Sequence, residues 1–155
     1  MLRRIVFGLV VGTLSATTAF AQAAPAAAAQ AAPTARLFAS DAGMVLNFIK
    51  PDKTADFETV IGKLKEALHK SEKPERKQQA ASWKVFKSPD PAAGGNVLYV
   101  FMIDPSVKGA DYTVSTILAE EFPNEGPALY KRYSEAYASG QRYVMNLTLV
   151  SALGQ

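Results

Sequence analysis

Hydrophobic and polar positions alternate along this chain in blocks, and the period of each block predicts an element. Met44-Val45-Leu46-Asn47-Phe48-Ile49 is rich in strand formers and stops at Pro51-Asp52, so it reads as a first strand. Over residues 56–70 the apolar side chains of Phe57, Val60, Ile61, Leu64 and Leu68 recur at helical spacing, while Glu58, Lys63, Lys65 and Glu66 point away. Thr54 is placed to cap this helix, and Asp56 and Glu58 sit where its dipole favours negative charge. A charged stretch over residues 71–79, broken by Pro74, leads to a second strand at residues 82–87, ended by Ser88-Pro89-Asp90-Pro91. The turn-forming run Ala92-Ala93-Gly94-Gly95 joins it in a hairpin to residues 96–103, which are apolar on both faces and predict a central strand.

A second helical region starts near Asp111 with Val114, Ile117, Leu118 and Phe122 on one stripe and pauses at Pro123-Asn124-Glu125-Gly126. It resumes at Pro127 with Leu129, Tyr130, Tyr133 and Tyr137 inward and ends at Gly140. Residues 142–150 then alternate as a half-buried strand, Tyr143, Met145, Leu147 and Leu149 on one side, Arg142, Asn146 and Thr148 on the other. This order predicts an α+β fold, a ferredoxin-like βαββαβ sandwich whose four-stranded antiparallel sheet runs 4-1-3-2 with its helices on one face. Strands two and four, the expected edges, carry Lys84, Lys87, Arg142, Asn146 and Thr148, as edges require. The parity of the last strand puts Tyr143 and Met145 under the helices. It leaves an open face of Val45, Asn47, Ile49, Lys84, Phe86, Val144, Asn146 and Thr148. Such a face is too apolar to stand in water, and a second copy of the chain is its simplest cover, so a homodimer is expected.

Ahead of this domain, Met1-Leu2-Arg3-Arg4 precedes a mostly apolar run, and Ala19-Phe20-Ala21 offers small residues where a signal peptidase reads. Residues 1–21 are therefore expected to be a removed bacterial signal peptide. The run is shorter than the roughly 20 residues of a spanning helix and is diluted by Gly8, Gly12, Thr13 and Ser15, so no stable membrane insertion is expected after cleavage. Residues 22–34, almost all Ala, Gln and Pro, predict a disordered tether, and residues 35–155 form the domain, periplasmic or secreted. Loss of Arg3 and Arg4 lowers the formal charge from +3 to +1, which is no nucleic-acid footprint. With no cysteine the chain has neither a disulfide framework nor a lipid-attachment site, and the core alone must hold it.

The run Asn47-Phe48-Ile49-Lys50-Pro51-Asp52 into a helix ending at Leu68, followed by Trp83-Lys84-Val85-Phe86 and Val97-Leu98-Tyr99-Val100-Phe101, resembles the dimeric α/β-barrel superfamily over roughly residues 43–150. That superfamily includes the antibiotic-biosynthesis-type monooxygenases and stress-responsive barrel proteins. The resemblance implies paired sheets in a dimer and a hydrophobic or aromatic molecule held between sheet and helices. Some members oxidise that molecule without a separate cofactor and others degrade haem. The haem-degrading members use an Asn on the first strand, a Trp near the third and a His on the second helix. Asn47 lies in the corresponding element; Trp83, on the second strand, and His69, at the end of the first helix, do not.

Other chemistry is thin. His69 is the only histidine and has no cysteine or spaced carboxylates to complete a metal site; at a helix end it complements the dipole. There is no Gly-x-Ser-x-Gly elbow, and Gly94-Gly95 lacks the Gly-Lys-Ser/Thr of a phosphate loop. The lysines from Lys63 to Lys87 are interleaved with Glu66, Glu72 and Glu75, the pattern of a solvated face. Tyr130, Tyr133 and Tyr137 are either plain core or, with Trp83, Tyr99 and Phe101, the lining of an aromatic pocket. No catalytic set, metal or cofactor is expected, and the candidate ligand-binding residues are Asn47, Trp83, Tyr99, Phe101 and Tyr133. Three readings stay open. One is a non-catalytic module for a small apolar or aromatic ligand or a protein partner. The second is a cofactor-independent monooxygenase-like enzyme using Asn47, Trp83 and Tyr99, and the third is a structural envelope protein.

Overall fold

The computed structural model describes residues 35–154, in which four strands and four helices follow one another; the expected signal peptide and tether lie outside these residues. Strand β1 (Ala42–Ile49) runs through a short 3-10 turn at Pro51–Lys53 into helix α1 (Thr54–Lys70). The Phe57, Val60, Leu64 and Leu68 stripe of α1 is buried, as its period requires. Thr54 is the first helical residue, not the cap: its hydroxyl donates to the Pro51 carbonyl at 3.3 Å.

Helix α2 (Pro74–Ser82) replaces the expected connection. Pro74 opens it at the first position, where a missing N–H costs nothing, rather than breaking it. Its inward residues are Arg76, Gln79 and Ser82, so its buried stripe is polar. Strands β2 (Trp83–Pro91) and β3 (Val97–Ile103) form the hairpin, and α3 (Val114–Glu121) and α4 (Gly126–Ala136) follow. Strand β4 (Tyr137–Leu147) begins where the second helical region was expected to continue. Gly140 therefore lies within a strand, Tyr137 is its first residue, and Tyr130 is 43% exposed instead of inward.

These elements make an α+β structure with an open antiparallel sheet in the order β2-β3-β1-β4, edged by β2 and β4. Helix α1 packs against α2, α3 and α4, and the core lies between this layer and one side of the sheet. Cross-strand partners share a face. Gly43, Val45, Asn47 and Ile49 of β1 are buried beneath the helices with Tyr99, Phe101 and Ile103 of β3. Because Val45, Asn47 and Gly43 lie opposite Val144, Arg142 and Asn146, those residues share the helix-side face.

The expected parity is thus reversed on β1 and β4. Val45, Asn47, Ile49, Val144 and Asn146 are not on the open face, and Thr148 lies beyond the end of β4; only Lys84 and Phe86 of the expected set remain there. The polar residues of β4 turn inward because partners wait for them. Asn146 Oδ1 accepts from the Ala39 backbone N–H at 2.8 Å, and Arg142 lies over the Tyr137 ring. The open face consequently carries Met44, Leu46 and Phe48, with Leu98, Val100 and Met102, and with Phe86, Tyr143, Met145 and Leu147.

Residues 36–41 strap the end of the sheet to the helix layer. Arg36 N–H donates to Asp111 Oδ1 and Thr113 Oγ1 at 2.8 and 2.9 Å, its carbonyl accepts from Tyr112 N–H at 2.8 Å, and the Asp41 carbonyl accepts from Ser106 N–H at 2.6 Å. Phe38, buried edge-on to Tyr112, lies directly over Gly43, where any Cβ would overlap its ring. Gly43→Ala is expected to cost about 1–3 kcal/mol through forced displacement of that ring. A urea midpoint unchanged from the parent would show that the ring moves freely.

Candidate functional site

Phe57 is the hub of the helix-side face. Its ring centroid is 4.7 Å from Tyr99, 5.8 Å from Tyr133, 6.0 Å from Tyr137 and 6.2 Å from Phe101. Trp83 continues the set, 5.5 Å from Phe101 and 5.4 Å from Tyr112. Tyr99, Phe101, Tyr133 and Asn47 therefore come together with Phe57 and Tyr137, and Trp83 lies at the margin of the set. Apart from Tyr137 and Trp83 these residues are buried against one another, so the rings fill the space they enclose.

A polar chain crosses this apolar set. Asn47 is fully buried on β1, and its Nδ2 donates to the carbonyls of Val45 and Tyr99 at 3.2 and 3.1 Å. The Tyr137 hydroxyl lies 2.8 Å from Asn47 Oδ1 and 2.6 Å from the Tyr133 hydroxyl. An amide oxygen can only accept, so Tyr137 gives its single proton to Asn47 and its oxygen takes the proton of Tyr133. Donation therefore runs one way, from Tyr133 through Tyr137 and Asn47 to the β1 and β3 carbonyls. Burial, reinforced by Tyr133, pushes the Tyr137 hydroxyl well above its ordinary range, so it keeps its proton.

Arg142 reaches the same tyrosines. Its guanidinium is 4.2 Å from the centre of the Tyr137 ring and 5.5 Å from that of Tyr133. A bulge in β4 makes this possible: Asn47 faces Arg142 while Ile49 faces Tyr137, so residues 138–141 stand opposite Phe48 alone, three more than a regular ladder has, and the two flanking side chains converge. Burial draws the Arg36 guanidinium below its ordinary value, and the charge of Arg142 acts in the same direction against the favourable effect of Tyr133.

The edge of the sheet holds a second feature. Between α1 and β2 an apolar groove of about 230 Å³ is lined by Ile61, Leu64, Leu68, His69, Trp83 and Val85. Trp83 and His69 thus meet, but Asn47 does not join them. Trp83 shares a row with Ile103 and Gly43, four residues along β1 from Asn47, or about 13 Å at strand spacing. The three residues that invited comparison with a haem-degrading site are therefore not assembled in one place. Among the described residues no group of three His, Asp or Glu side chains could hold a metal, and no helix is long and apolar enough to cross a membrane.

Sequence reasoning missed Arg36 and Arg142, and it placed Tyr137, named there as a candidate aromatic lining, on a helix instead of at the start of β4. Tyr137 continues the i, i+4 spacing of Tyr133 and so imitates a helical stripe, Arg36 lies in a stretch with no period, and Arg142 occupies the polar side of its alternation. No protein-family model, curated protein or solved structure matches this chain.

Proposed function

We propose that this chain is an exported, non-catalytic binding domain of ferredoxin-like type that works as a homodimer, with the open sheet faces of two copies pressed together. The observation that carries this reading is the composition of that face: ten apolar side chains on four strands, with Lys84 the one charge among its described cross-strand-paired residues. Phe86 and Tyr143 are 53% and 57% exposed in the single chain, and an apolar patch of this extent marks an interaction surface. Four strands about 4.8 Å apart and about seven residues long give roughly 450 Å² in plan, and more once side-chain relief is counted. Two such faces reach the roughly 1,000 Å² that a specific interface needs. A patch this apolar is also complementary to itself, which a two-fold pairing requires.

The groove beside Trp83 and His69 supports a small apolar ligand as a second occupant, since it is concave, mostly apolar and bordered by few polar groups. The aromatic cluster around Phe57 supports binding or stability ahead of turnover, because its polar atoms are spent on one another. Light scattering of the purified chain is expected to give twice its monomer mass. Leu46→Glu, at the centre of the open face, is expected to give a folded monomer, because the carboxylate is solvated in one copy and unpaired between two. A monomeric parent, or a dimer that survives the substitution, would refute the sheet-to-sheet pairing.

A further inference from the structure

We propose that Arg36 and Arg142, held by Tyr133 and Tyr137 at the β4 bulge, form a binding site for an oxyanion, the carboxylate or phosphoryl group of a small ligand. The Arg142 guanidinium lies 4.2 Å over the centre of the Tyr137 ring and 5.5 Å from that of Tyr133, and the Arg36 guanidinium is within electrostatic reach of Arg142 and of the same two tyrosines. Like charges drawn to one place favour an anion between them, and no acidic side chain supplies one. All 14 acidic side chains lie within the described residues, and none comes within ion-pair distance of Arg36 or Arg142. The other arginines nearby in the fold are paired: Arg76 with Glu120 and Arg132 with Asp56. Residues 1–34 contain no Asp or Glu, so that segment brings no side-chain counter-ion either.

The surroundings suit a bound anion. The hydroxyl chain from Tyr133 through Tyr137 to the buried Asn47 fixes the ring that Arg142 covers, so the acceptor side of the site is preorganised before any ligand arrives. Stacking on a tyrosine engages the face of the Arg142 guanidinium and leaves its in-plane N–H groups free to fork onto two oxygens. Arg142 is exposed, so the site opens to solvent at the β4 edge. It lies on the helix side of the sheet, opposite the face proposed to dimerise, and the two proposals stand or fall separately.

Titration calorimetry of the full chain with sodium phosphate and with sodium benzoate, at one fixed ionic strength, tests the site. Saturable binding of one or both probes at one site per chain is expected, and which probe binds identifies the group. Arg142→Gln, an exposed change that leaves the fold intact, is expected to weaken binding at least tenfold, as is Arg36→Gln. Lys87→Gln, on the opposite edge strand β2, is expected to leave it unchanged, and so is the dimer-breaking Leu46→Glu. Absence of saturation by either probe, or equal affinity in Arg142→Gln and the parent, would overturn the proposal.

Discussion

Arg76→Ala is expected to destabilise the fold by about 3–5 kcal/mol, the usual result of removing one partner from a buried charged network. Arg76 is 2% exposed on α2. Its Nη1 donates to Gln79 Oε1 at 2.7 Å and to the Asp111 carbonyl at 2.6 Å, and its Nε and Nη2 donate to Glu120 Oε2 at 3.3 and 3.0 Å. One guanidinium therefore ties α2 to α3 and to the loop before it. Alanine leaves the Gln79 oxygen without its donor and Glu120 with only Lys73, 3.1 Å away at the surface. Arg76→Lys keeps the charge and loses the fork, so an intermediate loss is expected. Urea unfolding of the two variants decides the matter. A loss below about 1 kcal/mol for Arg76→Ala would mean that water replaces the guanidinium without penalty.

Phe57→Ala is expected to cost a comparable 3–5 kcal/mol, the range for emptying a buried aromatic position. The ring is fully buried and touches four other rings, from β3, α4 and β4, so the cavity would sit where sheet and helices meet. Collapse into it is resisted because the Tyr133 and Tyr137 hydroxyls are committed to the polar chain ending at Asn47. The near-ultraviolet circular dichroism of the folded variant is expected to weaken along with its denaturation midpoint. A normal aromatic spectrum with parental stability would show that Phe57 is not the hub. Phe57→Leu, which retains apolar volume, is expected to lose much less.

The contrast between these two positions explains what could be read from the chain. The helix containing Phe57 is legible because its buried stripe is apolar, and β3 because it is apolar throughout. The helix containing Arg76 is not, since Arg76, Gln79 and Ser82 recur with helical spacing but are polar, and polar residues at that spacing look like a solvated surface. Facing was misread for a related reason. β1 is apolar on both sides, so its own pattern cannot say which side is inward, and the alternation in β4 gives the wrong answer because Arg142 and Asn146 find hydrogen-bonding and stacking partners inside. Asn47, Tyr99, Phe101 and Tyr133 were legible as a cluster because aromatic residues on adjacent elements seek common burial. The two arginines near this cluster come from the strap and from beyond a bulge, and neither position has a periodic signature.

The strap over residues 36–41 also bears on where the folding unit begins. Its backbone is bonded to Asp111, Tyr112, Thr113, Ser106 and Asn146, and Phe38 fills the space that Gly43 leaves. A domain trimmed to start at the first strand would lose all of these at once and open the end of its core to water. The minimal autonomous piece is therefore longer than its regular secondary structure and reaches back at least to Arg36.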